Sequence, residues 1–367
     1  MKKKQQYVEQ DFNLSQQQPL AGETRQFPLG EALFFSPKPL PSINLERNRL
    51  GESNQVLAIN NQYLDIGQSS QGKAFQVQSV MTSILVSGLI SLIVFAIAGS
   101  AKIESHPSFW NAWLSATQET GPIVLVGLSL FLAVGWYVII STSLKKSRIR
   151  PIRFHRQRRE VCYFPEGSDN PVIAPWEEVV CWVSIYKGYT GNSLTTNATF
   201  GLAFPIENSD EYWMLKKPIP IFSEGQRLWE IIRCYMDESP DYWASVAKPE
   251  NRTTFDEDRR QLHHNFKHGP KRWFFMNMLD PSTSYMGVIG YYVFHILSFW
   301  KLPYLISEWD SRISLVKYPE ELEQWSRSLP KEKWAKPSEE FLREKMRIDS
   351  YLKAGGYFTK YRKSNPI

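Results

Sequence analysis

The chain has 367 residues, a net charge of +6 and an aromatic content of 14%, enough for two modest domains beside any membrane segment. The basic surplus does not point to nucleic acid, because much of it falls in one block after an apolar stretch and no recognition motif accompanies it. Cys162, Cys181 and Cys234 are odd in number, scattered and without a CxxC, so they read as reduced core thiols rather than a disulfide framework or zinc site.

Residues 1–74 form a polar N-terminal segment, expected on the cytoplasmic side. Up to about Arg49 it is rich in Gln, Pro and Ser and lacks any sustained period, so it is expected to be extended or disordered. One patch differs. Val56-LAI-Ile59 and Gln62-YLDI-Ile66 flank Asn60-Asn61, a pair that tolerates positive φ, and read as a β-hairpin able to join the domain downstream.

Residues 75–145 are expected to be a two-helix transmembrane hairpin. From Ala74 to Ala101 and from Thr120 to Leu144 no side chain is charged, and each stretch exceeds the roughly 20 residues that a helix needs to cross a bilayer. The first span runs through Val80 and Gly99, the second through Gly121 and Ile140, with Trp136 and Tyr137 where amphipathic rings favour the interface. Their position, after a mostly polar segment, sets them apart from a cleaved signal peptide. The loop between them carries only Lys102, Glu104, His106 and Glu119, whereas Lys145, Lys146, Arg148 and further arginines follow the second span at once. The positive-inside rule therefore puts both termini in the cytoplasm and the short loop outside. The glycines in the spans form no GxxxG, which leaves the oligomeric state open.

Residues 146–240 change from helical to strand periodicity. Ile149-RPIRFHRQ and Arg159-EVCYF read as a hairpin, followed by strands at Val172-IAPWEE, Val179-VCWVSIY, Ser193-LTTNATFGLAFPI and Tyr212-WMLKKPIPIF. Ser223 and Gln226 have capping-box spacing, and Leu228, Ile231, Ile232 and Tyr235 mark one apolar helix face. Antiparallel strands closed by one amphipathic helix resemble a pleckstrin-homology-like (PH-like) domain, an analogy of fold that carries no ligand with it. Arg150, Arg153, Arg156, Arg158 and Arg159 form a basic cluster that could face anionic lipid, although juxtamembrane topology alone accounts for such charges.

Residues 241–367 form an aromatic, mostly helical C-terminal region. Asn251 to Arg272 is strongly charged and expected to be loop. Met286-GVIGYYVFHILSFW-Trp300 is too short for a standard span and suits a buried or interfacial helix, with a third crossing as the alternative. Pro319-EELEQW and Ser338-EEFLREKMRIDSYLK carry helix start signals, the latter stopped by Gly355-Gly356.

No phosphate loop, dinucleotide fingerprint, GxSxG or HExxH is present in the sequence, so no catalytic or cofactor-binding residue is assigned. His264 and His268 have metal-ligand spacing, but Lys267, Lys271 and Arg272 surround them and no third ligand is evident, so no metal is expected. Neither span holds an ionisable residue, which argues against a transporter.

The Gln/Pro-rich N-terminus, two-span hairpin, RFHRQRREVCYF from Arg153 to Phe164, PWEEVVCW from Pro175 to Trp182 and aromatic tail together resemble a family of bacterial inner-membrane proteins often encoded near type VI secretion effectors. That resemblance implies a toxin or secretion component as protein partner and an immunity or accessory role. The expectation is thus an α+β membrane protein of the inner membrane: a two-helix transmembrane hairpin, then a PH-like β-rich cytoplasmic domain with a closing helix and a helical C-terminal region. Its expected role is binding rather than catalysis, with a lipid-sensing scaffold as the second reading and an unrecognised toxin or enzyme as the third.

Overall fold

The computed structural model describes residues 14, 17–27, 30–46, 49–101, 108–165, 168–189, 194–206, 209–269, 284–314, 316 and 318–364. The elements in chain order begin with strands β1 (Thr24–Phe27), β2 (Gly30–Phe34), β3 (Glu52–Ser53), β4 (Val56–Ile59) and β5 (Tyr63–Ile66). Two long helices follow, α1 (Lys73–Ala101) and α2 (Phe109–Lys146). Then come β6 (Ile152–His155), β7 (Glu160–Tyr163), β8 (Val172–Pro175), β9 (Val180–Tyr189), β10 (Leu194–Pro205), β11 (Tyr212–Ile219), α3 (Phe222–Asp237) and β12 (Ser245–Val246). The chain continues with α4 (Arg252–His268), α5 (Tyr285–Leu297), α6 (Leu302–Ser314), α7 (Glu320–Trp325) and α8 (Glu339–Lys353). It is an α+β protein in two units: residues 1–69, 150–247 and 317–367 form the first, residues 70–149 and 248–316 the second. The expected C-terminal region 241–367 is therefore shared between them.

In the first unit two antiparallel five-stranded sheets run in the orders β4-β5-β6-β7-β8 and β1-β2-β9-β10-β11. The expected hairpins form where period-two apolar runs flank turn residues, β4 with β5 and β6 with β7. The first turn needs no positive φ at either asparagine; Asn60 Oδ1 accepts from the backbone N–H groups of Gln62 and Tyr63, both at 2.8 Å. Strands β5 and β6 pair directly, Ile66 opposite Ile152, although α1 and α2 lie between them in sequence. The long helices are thus an insertion in a sheet hairpin.

The N-terminal segment departs from the extended reading. β1 and β2 pair with each other, and β2 extends onto β9, with Phe34 opposite Trp182. Phe34, Phe35 and Leu40 are buried. A Gln/Pro-rich composition hid these strands, and the partner that β2 finds in β9 lies about 150 residues downstream. Across β9 and β10 the Trp182 ring fills the space where a Cβ on Gly201 would stand, 2.2 Å from ring carbons, so only glycine fits opposite it.

Helix α3 packs on β9, β10, β11 and β6, and its Leu228, Ile231, Ile232 and Tyr235 face the core as expected. Its start differs: Ile221 is the N-cap, without a side-chain cap bond, so Ser223 and Gln226 make no capping box. Nor is one face solvated, because Glu230 and Arg233 are also buried. Trp229 stacks between Phe35 at 5.7 Å and Trp176 at 5.5 Å, and Phe358 from the C-terminal end stacks on Phe35 at 5.3 Å. Ile348 and Leu352 of α8 join the same core.

In the second unit α1 packs along α2. At Gly99 the helix backbones come close, since a Cβ there would lie 2.7 Å from Trp113 Cα, and Gly135 makes room for the Val80 side chain. The segment after Asn251 is helix α4, not loop. Asn251 Oδ1 accepts from Thr254 N–H at 2.8 Å and Thr254 Oγ1 accepts from Asn251 N–H at 2.9 Å, a reciprocal cap that the density of charge concealed. Residues 270–272 of the expected loop lie outside the described residues.

Candidate functional site: two apolar helices and the buried polar networks

Helices α1 and α2, of 29 and 38 residues, are about 44 and 57 Å long at 1.5 Å per residue, against roughly 30 Å of bilayer hydrocarbon. Only 11% and 6% of their most apolar 18-residue windows is buried. Ile97 is 64% exposed and Ile123 73%, which a core helix of a water-soluble protein would not leave uncovered. Val80, Gly99, Gly121 and Ile140 all lie within these two helices, and Ile140 is exposed. The loop residues Lys102, Glu104 and His106 lie outside the described residues.

Where α1 begins and α2 ends, charged groups gather. Asp310 of α6 is buried and accepts from Lys146 Nζ, while Lys73 Nζ stands 3.8 Å away. Lys146 also donates to Ser70 Oγ at 2.8 Å, and Lys73 to Thr142 Oγ1 at 3.2 Å. Burial opposes the charge on Asp310, yet the bonds from Lys146, Ser143 and Ser70 outweigh it and hold the carboxyl below its usual range. Glu250 caps α1 by accepting from the N–H groups of Gly72 and Ala74 at 2.8 and 3.0 Å, where the helix dipole favours an anion. Two lysines and two carboxylates thus close the end of the hairpin.

The five arginines of the first unit do not form a free cationic face. Arg153 is buried, bidentate to Asp65 at 2.7 and 2.6 Å, bonded to Ser326 Oγ at 2.8 Å and held between the rings of Tyr63 and Tyr318 at 3.8 and 4.1 Å. Arg159 pairs with Asp237 at 2.7 Å and Glu177 at 3.2 Å. Arg156 donates to Glu238 O and lies over Trp243, Arg158 donates to Trp325 O, and Arg150 meets Asp169 at 3.1 Å. Arg153 and Arg159, bonded at more than one donor, are positioned as internal struts; Arg150, Arg156 and Arg158 are half-buried and, among the described residues, hold one bond each. Sequence alternation put these residues on strands, yet only Arg153 lies on one, β6; Arg156, Arg158 and Arg159 form the turn before β7, and Arg150 precedes β6. Nor could alternation show the groups that reach them from residues 65, 237–238 and 325–326.

A second network went unseen in the sequence. Glu230 accepts from Ser42 N–H and Oγ–H and pairs with Arg233, which also reaches Glu238 at 2.7 Å. Burial works against the charge on Glu238, but Arg233 and Lys345 hold its carboxyl below the usual range. Lys345 of α8 pairs with Glu238 at 2.8 Å, so this seam fastens the C-terminal helix to α3.

Among the described residues the cysteines and His155 are buried. Burial pushes the Cys162 thiol up to about 12 and the Cys181 and Cys234 thiols well above their ordinary range, which suppresses thiolate. Burial also lowers His155 to about 4, its ring against Trp325 at 5.0 Å. His264 and His268 stack at 4.6 Å, and among the described residues no group of three His, Cys, Asp or Glu side chains could hold a metal. Comparison with known proteins gives no match, whether by family model, by sequence among curated proteins or by fold among solved structures.

Proposed function

We propose that α1 and α2 cross a bilayer and that the first unit is a cytoplasmic binding module, anchored to the membrane and without catalytic activity. One observation carries this reading: two helices long enough to span, with uncovered apolar flanks, are inserted between the paired strands β5 and β6 of a polar α+β unit. A water-soluble fold gains nothing from two helices whose side chains it leaves in water. Lys145, Lys146, Arg148 and Arg150 at the end of α2 support a cytoplasmic position for the unit that follows, in the inner membrane of a bacterium.

The PH-like reading draws support from two antiparallel sheets sharing a core with α3, to which the N-terminal strands β1, β2, β4 and β5 add. Such a unit would present its partner with a rigid surface, because buried pairs such as Arg153 with Asp65 and Arg233 with Glu230 tie its elements together. The pairing of Arg153 with Asp65 and of Arg159 with Asp237 and Glu177 favours this binding role over a lipid sensor built on Arg153 to Arg159.

The partner we propose is a secreted toxin or a component of its secretion machinery, with the protein as immunity or accessory factor. Full-length protein in detergent is expected to capture such a toxin, and deletion to expose cells to attack by siblings. No capture, together with a deletion strain that survives sibling contact, would overturn the immunity role.

A further inference from the structure

The second unit holds an apolar surface that the two long helices do not account for. On α5 the residues Met286, Ile289, Val293 and Ile296 are exposed and recur at helical spacing, one stripe along the helix. On α6 the exposed Leu302, Leu305 and Trp309 make a second stripe. Between them Phe299 and Trp300 both adopt left-handed φ, +62° and +58°, which bulky residues rarely do. Trp300 packs on Phe255 of α4 at 5.2 Å and on Tyr292 at 5.8 Å, and Phe299 at the apex is 56% exposed.

The back of this elbow is covered by α4. Phe255 meets His295, Trp300 and Tyr304, Lys301 reaches Asp256 at 2.7 Å, and Arg252 pairs with Glu308 at 2.9 Å. The outer side of α4 is polar, with Glu257, Arg260, Gln261 and His264 exposed. Charge lies on one side of the assembly, rings in the middle and aliphatic side chains on the other, the layering of a structure that rests at a lipid–water boundary.

Its depth along the hairpin is fixed by packing. Ile306 of α6 is buried with Val77, Met81 and Ile139, and Asp310 meets Lys73 and Lys146. α6 therefore lies against the first turns of α1 and the last turns of α2, the levels at which the charge-free stretches begin and end. Lys73 to Met81 spans only about 12 Å of helix axis.

We propose that α5 and α6 form an in-plane elbow seated in the lipid of the leaflet at the Lys73 and Lys146 end of the hairpin, entering that leaflet without crossing it. The occupant of the apolar face is lipid, because the elbow packs on the spanning helices at the level where they enter hydrocarbon. Neither helix, at 13 residues, reaches across a bilayer. The proposal rests on the bilayer reading of α1 and α2.

Single cysteines at Ile289, Ile296, Phe299 and Leu305, with controls at Ile93 in α1 and Arg260 in α4, would carry nitroxide labels on the full-length protein in lipid vesicles. The native cysteines are buried and poorly ionised, so the added ones label selectively. At the four elbow positions oxygen is expected to collide with the label more often, and a nickel chelate less often, than at Arg260. Water-like collision at the elbow with lipid-like collision at Ile93 would overturn the elbow alone. Water-like collision at Ile93 as well would overturn the bilayer reading. Protection from both probes at the elbow would mean that protein covers it, and would equally overturn the proposal.

Discussion

At the scale of single residues, Arg153 shows how a basic side chain that follows a long apolar helix in sequence can be structural. Its partner Asp65 is buried, and desolvation raises that carboxyl while the Arg153 bonds pull it back. Removing the guanidinium leaves a buried acid without compensation, a change that costs about 3–5 kcal/mol. Arg153→Leu is therefore expected to lower the unfolding midpoint strongly, and Asp65→Asn added to it to recover much of the loss; equal midpoints for wild type and Arg153→Leu would refute the internal-strut role. His155 predicts a pH dependence. Its folded value of about 4 lies below the ordinary 6.5, so between these values the unfolded chain takes up a proton that the fold refuses. Stability should fall as pH drops through that window, on the order of 2 kcal/mol after allowance for screening. Denaturation of His155→Gln, followed across the same range, should give a flatter profile than wild type.

At the scale of elements, what could be read from the sequence depended on how far away the partner strand or cap lies. The hairpins β4–β5 and β6–β7, the strands from Val172 to Ile219 and the helix opened by Ser338 are local: period, turn residues and caps sit within a few positions of one another. The strands β1 and β2 were missed although they pair locally, because the Gln/Pro-rich stretch around them masks the short apolar run Ala32 to Phe35, and only β9, far along the chain, shows that run to be buried. The burial of Glu230 and Arg233 was hidden for the same reason, because Ser42 and α8 cover that side of α3. For the arginine cluster, only the strand position of Arg153 was readable; the turn that holds Arg156, Arg158 and Arg159, and the acids and carbonyls that meet each guanidinium, were not. Helix α4 is a different failure, in which a local cap was present but charge density argued for loop. Asn251→Ala removes one half of that cap and is expected to cost about 1 kcal/mol. Hydrogen exchange should then quicken in the first turn of α4, near Thr254 and Phe255, and leave α3 unchanged; uniform protection in α4 would show the cap to be idle.

At the scale of the whole molecule, the order of segments constrains topology more tightly than any charge count. Residues 1–69, 150–247 and 317–367 make one folded unit: Ala21, Leu33, Val56, Phe154, Trp229, Ile348 and Phe358 share its core, and Arg362 donates to Ala21 O at 2.7 Å. A single core cannot be divided by a bilayer, so each excursion from this unit must cross an even number of times. Residues 70–149 cross twice on the reading proposed above, and residues 248–316 then cannot cross once, which removes the alternative of a third span. Cysteines placed at the exposed positions Gln68, Trp110, Ser209 and Gly355 test this directly, with the three buried native thiols as a silent background. A membrane-impermeant maleimide applied to cells with a permeabilised outer membrane is expected to label only the position at 110, and all four once the inner membrane is opened. Labelling at 355 but not at 68 in closed cells would separate residues that share the core, and would refute the single unit together with the even count. Labelling at 68, 209 and 355 but not at 110 would keep the unit whole and turn it over, placing it outside the cell against the direction set by Lys145, Lys146 and Arg148.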